Sequence, residues 1–578
     1  MAIGLIAWGR FFDRAGNKVT VPAPPTDPGK PWLWDFLRGV APMLGASFDI
    51  VQLPPWSLAQ GGTAPGCDGY GVFQRRNLNG TRYGSLESLM SAVAALNTHG
   101  CQTYADLVLH QMSGENGGPG IFRYPGADGV TINGRGQTTP GWFRGGPVPP
   151  FCREDDVPVP IDDNPFGREL SYQNCHPAGV TEGDAIDYLK WSQARTGAVG
   201  FRFDDTKGTY APAVRRIMNA LPEATFYSEF FDGNPANLNG WATSPPMNGR
   251  SAVEDFTLHF RIQAACNDFD ATQLVAGSAG YWQMNPGLAV GFVDNPDTDT
   301  SAGQQVVSNK GLAYAYMLSL PMRLALVYGK DYFSNGVWPG AYGLKPLIDN
   351  LCWINRMFAI GNYVVRWVDR DVHVGSRDGD GGQIGQSGGL LTALNFNTLT
   401  PRTITCGTPF GPNRHLHDYT GHHGDIFTDS NGNATFTIPS NAFSRGESFL
   451  CFAPAGVNHP FPSRTFPTTQ RYFGAADLDV RPAVNSEQFL PQRLHCTKGS
   501  EVSLRIKAQI PIGASLMATV RSAASGDTVS TARVGGGANN HIGRTKQAGW
   551  HTVSIEGSGL TDAGQSFELE VTYMGVEG

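Results

Sequence analysis

Within "AVGFRFDDTKG" (198–208) an apolar run ends in a guanidinium, two carboxylates and an ammonium: Arg202, Asp204, Asp205 and Lys207. Ala198, Val199, Phe201 and Phe203 alternate loosely with Gly200 and Arg202, as on a strand entering a core. Carboxylates at the end of a buried strand are expensive unless they are paired or used. The pattern recurs with Glu229 in "FYSEFF" and with Asp294 and Asp297 in "GFVDNPDTD", while Asp106 lies inside the run "YADLVLHQ". Any one of these acids alone reads as half of an ion pair. Several converging acids suit cleavage of a glycosidic bond, where one carboxylate attacks the anomeric carbon and a second, held protonated, donates to the leaving oxygen.

Such convergence needs strands that end on one face. Strand-like runs lie at Ile3–Trp8, Phe48–Leu53, Gln102–His110, Val199–Asp204, Ala224–Glu229, Leu288–Asp294 and Leu324–Tyr328. Helical patterns separate them, as in Ser85–His99, where Leu86, Leu89, Val93 and Leu96 share a face ahead of Gly100, and in Asp184–Arg195 ahead of Gly197. This alternation predicts a parallel α/β fold, a (β/α)8 barrel over 1–112 and 184–388. The Gly-, Pro- and Asp-rich stretch 113–183 is too long for a plain loop and reads as an inserted subdomain. Short strands with turn signals follow: a β domain over 389–455, a Pro-rich connector over 456–474, and a second β domain over 475–578 that reads as a sandwich. Trp550 and Tyr573 are expected in its core.

The composition sets bounds on partners. A net charge of −7 provides no basic face for nucleic acid or an anionic membrane. No apolar run approaches the roughly 18 residues of a membrane span. The nine cysteines are scattered without a C-x-x-C pair and read as free, buried thiols. The start, "MAIGLIAWGRFF", reads as a strand rather than a signal peptide, so the expectation is a cytoplasmic protein or a mature secreted form. A monomer is expected.

The order of these motifs resembles the α-amylase family of glycoside hydrolases over roughly 3–455, and is most similar to bacterial liquefying-type α-amylases. "GFRFDDTKG", "YSEFF", "FVDNPD" and "YADLVLHQ" are similar to four of its motifs, and "GYGVF" resembles the tyrosine motif after the second strand. "ELSYQNCHP" resembles the segment closing the inserted subdomain, and "LALVYGKDYF" and "LHDYTG" resemble the eighth strand and the following β domain. The resemblance implies Asp204 as nucleophile, Glu229 as general acid/base and Asp297 as a group gripping the sugar hydroxyls. It implies substrate contacts from Tyr70, Gln111, Arg202, Lys207 and Asn295, with Arg202 keeping Asp204 ionised by lowering its pKa about 1–3 units. The implied activity is retaining, endo-acting hydrolysis of α-1,4 bonds in an α-glucan. A relative with transglycosylating or altered sugar specificity is the alternative, and a catalytically weak carbohydrate-binding protein is a third. Gln111 and Pro296 stand where the family has histidines that hydrogen-bond the sugar, and Gly208 replaces the histidine after the lysine. No cofactor is expected. Calcium is poorly served at its usual family position, because His110 replaces an asparagine there and imidazole suits a hard, oxygen-seeking cation badly.

Overall fold

Eight parallel strands close a barrel: β1 (Ala2–Ile6), β2 (Ile50–Leu53), β3 (Gln102–Leu107), β4 (Gly200–Phe203), β5 (Thr225–Ser228), β6 (Ala252–Glu254), β7 (Ala289–Phe292) and β8 (Leu324–Tyr328), in the order β1-β8-β7-β6-β5-β4-β3-β2. This computed structural model describes residues 1–12, 18–19, 32–64, 66–113, 122–123, 137–138, 143–144, 166–173, 179–334, 338–379, 389–442, 446–457, 466–476, 493–496, 498–522, 525–535, 540–547, 549–559 and 565–575. Two compact units divide the chain, 4–256 with 287–290, and 1–3 with 257–286 and 291–578. Most of 113–183, Cys152, Cys175 and the side chain of Trp550 lie outside the described residues.

The strands are short and continuous in hydrophobicity because a parallel barrel strand is covered on both faces; every residue of β8, "LALVY", is buried. Gly200 opens β4 because a Cβ there would lie 2.4 Å from the Tyr104 ring of β3. Between β1 and β2 runs α1 (Leu33–Ser47), and between β2 and β3 runs α2 (Leu86–Thr98), whose first turn is closed by the Ser85 hydroxyl accepting from Ser88 N at 3.2 Å. Between β3 and β4, α3 (Val180–Thr196) ends at Gly197, whose φ of 80° is the left-handed C-terminal stop expected of glycine. β6 was not expected from the sequence: at three residues, Ala252–Glu254 is too short for an apolar run to stand out.

In the second unit, β9 (Tyr363–Val368), β10 (Val372–Arg377), β11 (Leu390–Asn395), β12 (His415–Asp418), β13 (Ile426–Phe427) and β14 (Phe449–Pro454) form one sheet in the order β9-β10-β11-β14-β12-β13. A later antiparallel sheet contains β15 (Phe466–Ala476), β16 (Arg493–Cys496), β17 (Glu501–Ala508), β18 (Ser515–Ser522), β19 (Thr528–Val534), β20 (Gly543–Arg544), β21 (Gly549–Ser558) and β22 (Gln565–Gly575). Alternate residues such as Leu516, Ala518 and Val520 face its core, and Tyr573 is buried with them. The connector expected over 456–474 is corrected in part: β15 pairs with β22 residue for residue, from Phe466↔Gly575 to Ala476↔Gln565. Pro467 at the second position of β15 hid the strand, since proline is tolerated at a strand's start but reads as a breaker. Of the cysteines described, Cys101, Cys266, Cys352, Cys406, Cys451 and Cys496 are buried free thiols, and Cys67 is a partly buried one. Among the described residues no helix is long and apolar enough to cross a membrane.

Candidate active site

Strand register stacks the polar residues of the first unit into layers. Arg202 of β4 pairs with Asp106 of β3 on one side and Tyr227 of β5 on the other, and Tyr227 pairs with Ala252 of β6. Side chains two apart on a strand share a face, so Asp204, Glu229 and Glu254 form the layer above. The inward face is therefore a guanidinium with three carboxylates over it and one beside it.

Arg202, 3% exposed, touches all four. Its Nη1 donates to Asp106 Oδ1 at 2.7 Å and to Asp204 Oδ1 at 2.9 Å, its Nη2 lies 2.8 Å from Glu229 Oε2, and its Nε donates to Glu254 Oε1 at 3.0 Å. Asp106 is held further by Tyr70 Oη at 2.9 Å and by Gln52 Nε2 at 3.5 Å, and Gln52 in turn accepts from Tyr227 Oη at 2.5 Å. Four buried carboxylates against one guanidinium leave a surplus of negative charge. Burial accordingly pushes the Asp204 carboxyl well above the ordinary range, with Arg202 opposing and Glu229 and Asp106 adding to the rise. Burial also lifts Glu254 to about 7, again against Arg202 and with Glu229 adding to it. Arg202 does lower the Asp204 pKa, as expected, but desolvation and the neighbouring carboxylates push it the other way and prevail.

β4 ends in a left-handed kink at Asp205, φ 41°. The kink turns the Asp205 amide onto Glu229, N to Oε2 3.2 Å, while Thr206 N donates to Glu229 O at 2.9 Å. Aspartate tolerates this region better than most residues, and strain of this kind concentrates at functional sites. The Asp205 carboxylate faces the other way, to His110 Nδ1 at 2.6 Å. His110 Nε2 lies 3.6 Å from Glu169 Oε2, and Arg144 Nη1 donates to that same oxygen at 2.7 Å. Burial disfavours the imidazolium, but Asp205 and Glu169 outweigh it and raise the His110 pKa to about 10. Asp205 is lowered: burial opposes, and the His110 bond and charge win. A cation is thus already present, supplied by the chain. The donors around His110 do not fit calcium, because Asp205 is committed to the imidazolium and Glu169 to Arg144. Gly208 is what leaves room for the ring, since a Cβ there would lie 2.6 Å from His110 Cε1.

The other expected substrate contacts fall as follows. Tyr70 is 6% exposed, with its ring tilted against Trp8 and Phe166 at centroid distances of 5.7 Å each. Gln111 is 1% exposed; its Nε2 donates to Tyr70 O at 3.3 Å, and its Oε1 has no hydrogen-bond partner among the described residues. Lys207 is exposed and donates to Phe231 O at 2.9 Å and Asp232 Oδ2 at 3.1 Å. In the second unit, Asn295 is buried and shapes its own loop: its Oδ1 accepts from Asp297 N at 2.9 Å and Thr298 N at 2.8 Å. Asp297 is partly exposed just beyond it. Asp294 is not available for chemistry, being fully buried and bound by Lys310 Nζ at 2.8 Å and Thr298 Oγ1 at 3.0 Å. Sequence reading missed Glu254. The glutamate of "AVED" (252–255), last residue of the strand, was the available signal, and it is the same acid-at-strand-end pattern in miniature.

Paired strand-end carboxylates bridged by one buried guanidinium inside a (β/α)8 barrel are an arrangement suited to cleaving a glycosidic bond. No family model matches the chain. It is 28% identical over 407 residues to a glucan 1,4-α-maltotetraohydrolase of Roseateles saccharophilus, covering 65% of this chain and 66% of that one. It is 24% identical over 478 residues to an α-amylase of Geobacillus stearothermophilus, covering 72% and 82%. A solved three-domain cyclomaltodextrin glucanotransferase shares the fold with a TM-score of 0.56 at 16% identity, over 79% of this chain and 99% of that one. These similarities to proteins named α-amylase and maltotetraohydrolase support the α-amylase family of glycoside hydrolases, and the solved structure supports its fold.

Proposed function

We propose that the protein is a retaining, endo-acting hydrolase of α-1,4 bonds in α-glucans. The observation that carries this reading is Arg202 bridging Asp204 and Glu229, at 2.9 and 2.8 Å. In the first step the Asp204 carboxylate forms a bond to the anomeric carbon as the bond from that carbon to the departing sugar oxygen breaks. Glu229 gives its proton to that oxygen. In the second step Glu229 takes a proton from water, whose oxygen displaces Asp204. Asp297, partly exposed, would hold the sugar hydroxyls. Incubation with soluble starch, pullulan and maltooligosaccharides tests this: a spread of oligosaccharides, initially α at the new reducing end by NMR, is expected from starch. Initial β product would reject the double displacement.

Phe231 favours a second reading, transfer to an acceptor sugar. It stands two residues after Glu229, is 45% exposed, and packs edge-on to Phe256 at 4.8 Å. Lys207, one of the substrate contacts that the resemblance implies, donates to its main-chain oxygen. An exposed aromatic face there offers an incoming sugar apolar area that water cannot use, worth about 1.5–3 kcal/mol when fully covered. Phe231→Ala is expected to lower the ratio of transfer to hydrolysis products from maltotriose by about tenfold. An unchanged ratio would leave plain hydrolysis as the reading.

A further inference from the structure

Asp106 and Glu254 are the two carboxylates on Arg202 to which the chemistry above gives no part, and Asp106 is also held by Tyr70 and Gln52. We propose that Glu254 is a positioning residue for the hydrolysis: it anchors the Nε edge of Arg202, so that the other two nitrogens present Asp204 and Glu229, and its charge sets the pH range in which that pair works. The proposal rests on the reading of Asp204 and Glu229 as the reacting acids.

Three observations support it. A guanidinium is a rigid planar fork, and here every nitrogen is engaged at 2.7–3.0 Å, with Nε donating to Glu254. Fixing one edge of a planar group fixes the directions of the other two. Second, Glu254 is 3% exposed, and its Oε2 has no hydrogen-bond partner among the described residues. A buried, unpartnered carboxylate oxygen gains by taking up a proton, so this residue is a place where the cluster's surplus negative charge can be relieved. Third, the groups facing it bind it to the reacting pair: Arg202 of β4, Asp106 of β3, and Glu229 and Tyr227 of β5. Its ordinary carboxyl range is left behind, at about 7, where proton uptake and release fall within working pH.

The sign of the effect follows. An ionised Glu254 makes it harder for Glu229 to lose its proton, which extends activity towards alkaline pH. Glu254→Gln keeps an acceptor for Arg202 Nε and removes the charge. The alkaline limb of kcat/KM should therefore move down by about one pH unit. Glu254→Asp retains the charge and should restore the limb while losing kcat through a retracted anchor. Glu254→Leu loses both and should lower kcat by about a hundredfold with little change in KM. A merely structural glutamate would lower the melting temperature of all three variants and leave the pH profile in place; a folded Glu254→Gln with an unmoved limb overturns the proposal. Should the variants not fold, 13C carboxyl titration of glutamate-labelled wild type decides it. A glutamate carboxyl titrating near neutrality must shift when Glu229→Gln is introduced, and its failure to shift is equally fatal. If Glu229→Gln itself retains turnover, it is the functional reading that has failed; if that variant is dead and the Glu254 variants behave as wild type, only this inference has.

Discussion

Asp204→Asn and Glu229→Gln are each expected to lower kcat on soluble starch by about a thousandfold or more, with the thermal midpoint unchanged or slightly raised. The two halves of this expectation have one cause. Each substitution removes an ionisable oxygen at nearly constant volume from a cluster in which four carboxylates share Arg202. A neutral amide relieves part of that surplus charge, so folding should not suffer, whereas the chemistry loses its nucleophile or its proton. The two variants should also differ from each other. An activated aryl glycoside, whose leaving group needs no proton, should recover the first step in Glu229→Gln but not in Asp204→Asn. Starch-degrading activity within tenfold of wild type in either folded variant would remove the assignment.

The second large effect concerns the imidazolium beneath the kink. His110→Gln is expected to destabilise the protein by about 3 kcal/mol at neutral pH, the scale for breaking a buried charge pair. Its pH dependence has a definite sign. The folded His110 pKa is about 10, above the 6.5 of an unfolded histidine, so its stabilisation is complete below about pH 6.5 and fades as pH rises through 10. Asp205 is shifted downward, so its share is present above the ordinary carboxylate range and is lost on acidification. The gap in thermal midpoint between wild type and His110→Gln should therefore be widest from about pH 5 to 7 and close by about pH 11. Wild type in EDTA should melt within a degree or two of wild type in buffer. A large drop on chelation, restored by calcium, would show that the imidazolium is not the cation that matters here.

The barrel was legible because covered parallel strands carry unbroken apolar runs and because their ends carry acids that a core would not otherwise keep. The expected strands at Leu324–Tyr328 and Val199–Asp204 coincide with β8 and β4 to within a residue or two. β6 was not legible, and Glu254 was lost with it, because three residues carry no period. The candidate acids were visible as types and spacing, but the upward push on their pKa values was not. That property comes from register, which sets Arg202 level with Asp106 and Tyr227 and so gathers four acids round one cation. His110 could be seen as a departure from a family pattern. That it is charged depends on Asp205, 95 residues ahead of it, and on Glu169, which pairs with Gln111 in a separate ladder. The connector expected over 456–474 misled because proline density outweighed the β-forming residues after Pro467.

The ladder between β15 and β22 orders events during synthesis. β15 is the first strand of its sheet to emerge and β22 the last, about a hundred residues later, yet the two pair along their whole length. β17 lies against the other side of β22, from Ser503↔Thr572 to Ala508↔Phe567. Until β22 arrives, both of its neighbours wait with an open row of backbone donors and acceptors. Such rows recruit strands from other chains, and loop closure over this span cannot be hastened by local structure. A newly made chain is therefore most exposed to self-association in the interval after β15 leaves the ribosome and before β22 does. Slowing translation between them should raise the aggregated fraction, while slowing it anywhere before residue 466 should not.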